Sequence, residues 1–167
     1  MFDEIFNEND MINLQNILRD NNKTITCAES CTGGLIASMI TQISGSSAIF
    51  RGSIVTYCND IKETELNVSK DTMIKYGVVS PQVVDQMASG VLNKFDASFA
   101  LSVSGIAGPN GGSEAKPVGM ICYAIGDKNK IITNTIYLKG TRKSIQIEAS
   151  KIILKEILKF IKKTLDK

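Results

Sequence analysis

Histidine is absent from this chain of 167 residues. That excludes a Ser-His-Asp triad or a Cys-His pair within one chain. Any general base must then be a carboxylate, a lysine, a tyrosine or water. Cysteine is present but badly spaced for metal: Cys27 and Cys31 have three residues between them, and Cys58 and Cys122 stand alone. Without histidine, a zinc site would need all four thiolates to converge, so small buried hydrophobes are the expectation. No window approaches roughly 18 continuous apolar residues, so no membrane-spanning helix is expected. The N-terminus "MFDEIFNENDMINL" has neither a basic start nor an apolar core and does not read as a signal peptide. A cytoplasmic location with reduced thiols is expected. A strong charge excess is also missing: 19 basic residues face 17 acidic ones, for a net charge of +2. That balance argues against a nucleic-acid partner. The locally basic "KEILKFIKKTLDK" reads as the solvated face of a terminal helix.

What is present suits a globular protein. A hydrophobic share of 43% with 22% charged residues is ordinary, and the length fits one domain over residues 1–167. Asp10 is placed to cap a first helix whose Met11, Leu14, Ile17 and Leu18 share a face. "TITCA" reads as a strand and Gly33 to Ile43 as a helix. "SGSS" is a turn, and "AIFRGSIVTY" is a second strand ending near Tyr57. Ser69 and Ser80 are candidate helix caps, the second followed by Pro81 in the favoured first helical position. The helix over 81–94 would turn Val83, Val84, Met87 and Val91 inward. "ASFALSVSG" has the apolar character of a central strand buried on both faces. "MICYAIGD" and "KIITNTIYLKG" suggest a hairpin around Gly126 and Asp127, and Thr141 opens a long final helix. Strands alternating with helices, followed by a hairpin, predict a three-layer α/β/α sandwich with a mixed sheet.

Three segments at strand ends are candidates for chemistry. In "AESCTGG", a strand leads through a double glycine into a helix, a setting that can hold a phosphate or a reacting carbonyl oxygen. The alternative is a turn that only needs to be tight. In "TYCNDIK", Tyr57 ends a strand and Lys62 follows within reach of the same rim; a lysine beside a serine can activate a hydroxyl without histidine when burial lowers its pKa. Taken singly, these are a strand tyrosine and a surface lysine. "GIAGPNGGSEAKPVG" is a 15-residue glycine-rich loop, a length often functional in a compact domain, and Ser104 ends the strand before it.

Taken together, "AESCTGGLIASMIT", "GSSAIFRGSIVTYCNDIKETELNV", "YGVVS", "SVSGIAGPNGG" and "KPVG" resemble, in order, the motifs of the CinA C-terminal domain family. The resemblance runs from about residue 9 to about residue 163. It implies hydrolysis of nicotinamide mononucleotide to nicotinate mononucleotide and ammonia, without metal or other cofactor, by a homodimer or higher homo-oligomer. Larger members carry an additional N-terminal domain, so a stand-alone amidase is expected. Carried over by position, Ser30 matches the proposed catalytic serine, and Tyr57, Asn59 and Lys62 match the "Y.N..K" pattern. Arg142 matches an arginine that opens the last helix. Ser104 departs from the threonine expected before "GIAGP", which keeps a hydroxyl and loses a methyl.

The expected chemistry has Lys62, with Tyr57 in the relay, take the Ser30 proton. The serine then attacks the carboxamide carbon, and N–H groups around Thr32, Gly33 and Gly34 hold the oxyanion. Attack by water held in the same place is equally compatible. Arg142 and the loop through Gly105, Ala107 and Gly108 would bind phosphate and sugar. Glu29 would orient the turn or the lysine. Rival readings are a non-catalytic nucleotide-binding or regulatory module, and an enzyme for another small amide such as free nicotinamide.

Overall fold

A computed structural model describes residues 2–166; Met1 and Lys167 lie outside the described residues. Strands β1 (Ile25–Glu29), β2 (Phe50–Val55), β3 (Phe99–Gly105), β4 (Met120–Asp127) and β5 (Ile131–Tyr137) form one sheet in the order β2-β1-β3-β4-β5. β2, β1 and β3 are parallel, while β4 and β5 are antiparallel additions. The mixed sheet and three layers agree with the sequence expectation.

Side-chain size separates the two faces. Along β3, Phe99, Leu101 and Val103 face one core, with helices α1 (Glu8–Asp20), α2 (Leu35–Thr41) and α6 (Arg142–Leu165) packed over it. Alternate positions carry small residues: Ala28, Ala100 and Ala124 face the other core, which admits α5 (Pro81–Phe95) close to the sheet. Leu66 of α3 (Asn59–Leu66) joins that second core, and Met73 of α4 (Lys70–Tyr76) packs against it although no residue of α4 is fully buried.

Several boundaries differ from expectation, each for a local reason. The cap of α1 is Asn7, not Asp10; Asp10 returns a hydrogen bond to the Asn7 backbone in a reciprocal box. α2 starts at Leu35 because Gly33 and Gly34 have φ of 60° and 99°, a left-handed path that cannot extend a helix. A single 3₁₀ turn, Ser46–Ala48, delays β2 to Phe50. The hairpin turns at 128–130, while Gly126 stays in the ladder with Lys130 O where a Cβ would stand. Residues 59–66, to which the sequence reading assigned no element, form α3. Ser69, Ser80 and Thr141 cap their helices as expected.

The topology gathers one edge. The carboxyl ends of β1, β2 and β3 lie together, and the chain leaves β1 toward β2 while β3 occupies its other side. Open α/β sheets place ligands at such a switch point. β5 runs in the same sense as β3, so α6 also begins at this edge.

Candidate active site

Ser30 follows the last residue of β1, and its N–H is anchored on Val103 O of the neighbouring strand at 3.1 Å. Lys62 reaches it from the first turns of α3. Its Nζ donates to Ser30 Oγ at 3.2 Å and to Thr56 O at 2.7 Å. The lysine is 1% exposed. Burial strips water from its ammonium and pushes its pKa below the ordinary 10.5; the Cys31 and Cys58 sulfurs act more weakly in the opposite direction. A neutral amine can keep Thr56 O as acceptor and offer its lone pair to the serine proton. Cys31 lies beside them, but burial raises its thiol to about 12, so it stays protonated and a poor nucleophile.

Glu29 does not face the cleft. It is fully buried, and its carboxylate accepts from Thr32 Oγ1 at 2.6 Å and from the N–H groups of Gly34, Ile36 and Ala37 at 3.0, 3.1 and 2.9 Å. It therefore satisfies the orphan donors of α2 and holds the turn. Of the two roles expected of it, this is orientation of the turn; no hydrogen bond joins it to Lys62. Of the oxyanion donors expected at Thr32 to Gly34, two are committed elsewhere: the Gly34 N–H to Glu29 and the Gly33 N–H to Ser30 O at 3.1 Å. The Cys31 and Thr32 amides have no acceptor among the described residues.

Tyr57 is 57% exposed and points across the rim to Arg142, whose Nη2 donates to its hydroxyl at 2.6 Å. No hydrogen bond joins it to Ser30 or Lys62, so a proton relay through Tyr57 is not part of this arrangement. Arg142 Nη1 also donates to Gly108 O at 2.9 Å. One turn later on the same face, Gln146 Nε2 donates to Cys31 O at 2.7 Å. The start of α6 thus ties all three site-bearing loops. Gln146 was missed in the sequence, although its four-residue spacing from Arg142 is the available signal. Ser104 is buried, and its hydroxyl donates to Val78 O at 2.8 Å.

Ser30, Cys31, Tyr57, Asn59, Lys62, Ser104, Gly105, Ala107, Gly108 and Arg142 line a cleft of about 280 Å³, together with Val78 and Val79, which the sequence did not single out. Glu29, Thr32, Gly33 and Gly34 are not in its lining. A larger groove of about 550 Å³ runs between α3 and α5 past Glu65 and Lys94, but its one ion pair is solvent-exposed and no buried reactive group faces it. The Ser30–Lys62 pair faces the smaller cleft. Of the four cysteines, Cys27, Cys31 and Cys122 are buried as expected, whereas Cys58 is exposed at the start of α3. Among the described residues no helix is long and apolar enough to cross a membrane.

These features define a three-layer α/β protein with a buried lysine hydrogen-bonded to a serine at the carboxyl ends of its parallel strands. The sequence pattern of the CinA C-terminal domain matches residues 9–161, and the chain belongs to that family. A CinA-like protein of Prochlorococcus marinus (strain MIT 9215) is 51% identical over 132 residues, covering 78% of this chain and 31% of its own length. The chain spans about a third of the length of such relatives. The nicotinamide-nucleotide amidohydrolase PncC of Enterobacter agglomerans is 49% identical over 140 residues, covering 83% of this chain and 85% of its own. Among solved structures, a CinA superfamily protein from Escherichia coli superimposes with a TM-score of 0.90 at 28% identity, over 96% of this chain and 93% of its own.

Proposed function

We propose that this chain is an amidohydrolase that converts nicotinamide mononucleotide to nicotinate mononucleotide and ammonia. The observation that carries the chemistry is the buried lysine within hydrogen-bond reach of a serine at a cleft, in a chain without histidine. The relative named as a nicotinamide-nucleotide amidohydrolase, similar over most of both chains, supports the substrate.

In this reading neutral Lys62 takes the Ser30 proton as Oγ attacks the carboxamide carbon. The oxyanion meets amide donors at Cys31 and Thr32. Lys62 returns the proton to the departing nitrogen, ammonia leaves, and water resolves the acyl-enzyme by the reverse transfer. Two of the five N–H donors of Arg142 hold Tyr57 and Gly108, which leaves three for an anionic group. The N-termini of α2, α3 and α6 all open at this edge and add positive potential. Asn59 and the Gly105–Ala107–Gly108 wall offer contacts to the sugar. A single domain, a homo-oligomeric state, a cytoplasmic location and independence from metal belong to the same proposal.

The test is ammonia release from nicotinamide mononucleotide and from free nicotinamide, with a chelator present. Turnover of the nucleotide and little of the free amide is expected. Turnover of the free amide alone would move the proposal to a different substrate class, and nucleotide binding without turnover would leave a regulatory module.

A further inference from the structure

Residues 77–80, between α4 and α5, have no partner in the sheet, yet Val78 and Val79 wall the cleft. Their position comes from side chains instead. Lys116 Nζ donates to Tyr76 O at 2.5 Å and to Val79 O at 2.7 Å. Ser104 Oγ donates to Val78 O, and Ser80 Oγ to Gly77 O, both at 2.8 Å. Four successive carbonyls are thus each held by a side chain.

Lys116 belongs to the β3–β4 loop, the segment whose Gly105, Gly108 and Gly111 form another wall of the cleft. A turn closes around it: Ser113 N–H donates to Lys116 O at 2.8 Å, and Lys116 N–H donates to Ser113 Oγ at 3.1 Å. Gly77 has φ of 78°, and a Cβ there would come within 2.6 Å of Lys116 Nζ, so the ammonium sits against bare backbone. None of the ion pairs among the described residues uses Lys116. Its charge is directed at two carbonyls, and such charge-assisted bonds are the stronger kind.

We propose that Lys116 is a positioning residue that bolts the β3–β4 loop to the Val78–Val79 wall and so sets the width of the slot for the substrate's flat aromatic ring. This rests on the amidohydrolase reading for the identity of the ring, but the bolt itself can be measured separately. The ring would lie against valine side chains, while the amide points toward Ser30 and Lys62. Lys116 touches neither the reacting atoms nor the serine–lysine pair. Its loss should weaken ground-state and transition-state binding together, which raises KM and spares kcat.

The experiment compares wild type, Lys116→Met and Lys116→Arg for turnover of nicotinamide mononucleotide and for amide hydrogen exchange. In the methionine variant KM should rise about tenfold while kcat stays within about twofold, the pattern of lost uniform binding. The arginine variant, which keeps a charged donor, should recover most of the KM. Exchange at the Gly77 N–H, which donates to Met73 O, should quicken in the methionine variant while the Ser30 N–H, held on Val103 O, keeps its protection. An unchanged KM, or a fall in kcat with KM constant, overturns the proposal. If wild type releases no ammonia, the amidohydrolase reading falls and exchange alone decides the bolt; unchanged protection of the Gly77 N–H overturns it. Should the methionine variant fail to fold, Lys116→Gln carries the same measurements.

Discussion

Lys62 occupies a position that is unfavourable for an ammonium and useful for a base. The unfolded chain holds its proton up to about 10.5, whereas the folded chain, with the amine desolvated, releases it at lower pH. Between the depressed folded value and 10.5 the unfolded state binds more protons, so stability rises with pH across that window, and below it the burial penalty is fully present. Urea unfolding of wild type and Lys62→Met should therefore show the wild type gaining on the variant from pH 7 to pH 10. A difference that stays constant with pH would contradict a lowered lysine pKa. The "ESCTGG" stretch shows how far single residues could be read. Its hydroxyl and its turn were legible, because glycines at a strand exit have few other uses. The direction of Glu29 was not, since a carboxylate at a strand end fits a pocket or a helix start equally well until α2 is placed.

At the scale of elements, α3 delivers Lys62 and α5 sets where α3 lies. Gly90 is the contact point: a Cβ there would fall 2.1 Å from Leu66 O. Gly90→Ala must push α3 off α5, and overpacking of this kind costs about 1–3 kcal/mol. Lys62 lies one turn before Leu66, so the same shift moves Nζ from Ser30. The expected outcome is a lower unfolding free energy together with a reduced kcat, read by urea titration and steady-state kinetics. A variant of wild-type kcat would show that α3 tolerates the shift without moving its lysine. α3 also shows why some elements escaped sequence reading. Only Lys62 and Leu66 are buried along its eight residues, so it has no apolar stripe, and its most buried long side chain is a charged one. α5, with six buried residues and a Ser-Pro start, was legible for the opposite reasons.

At the scale of the whole molecule, the parallel core of the sheet and the direction of β5 bring four separate loops to one edge. Alternation of strands and helices made the layers readable, and the small–large alternation of β3 fixed which face each helix covers. The ties that finish the site were beyond local pattern. Arg142 meets Tyr57 across 85 residues, and Gln146 meets Cys31 across 115. Only the family resemblance placed Arg142 near the serine beforehand, and it gave Lys116 a motif without a role. The central claim is that this edge holds a serine nucleophile activated by lysine. Its most direct test is ammonia release from nicotinamide mononucleotide by wild type and by Ser30→Ala, at the same pH and with chelator present. A fall of at least about 10³-fold in the variant, with wild-type stability, is the expected result. A variant that keeps near wild-type turnover would contradict it and place the attack on water.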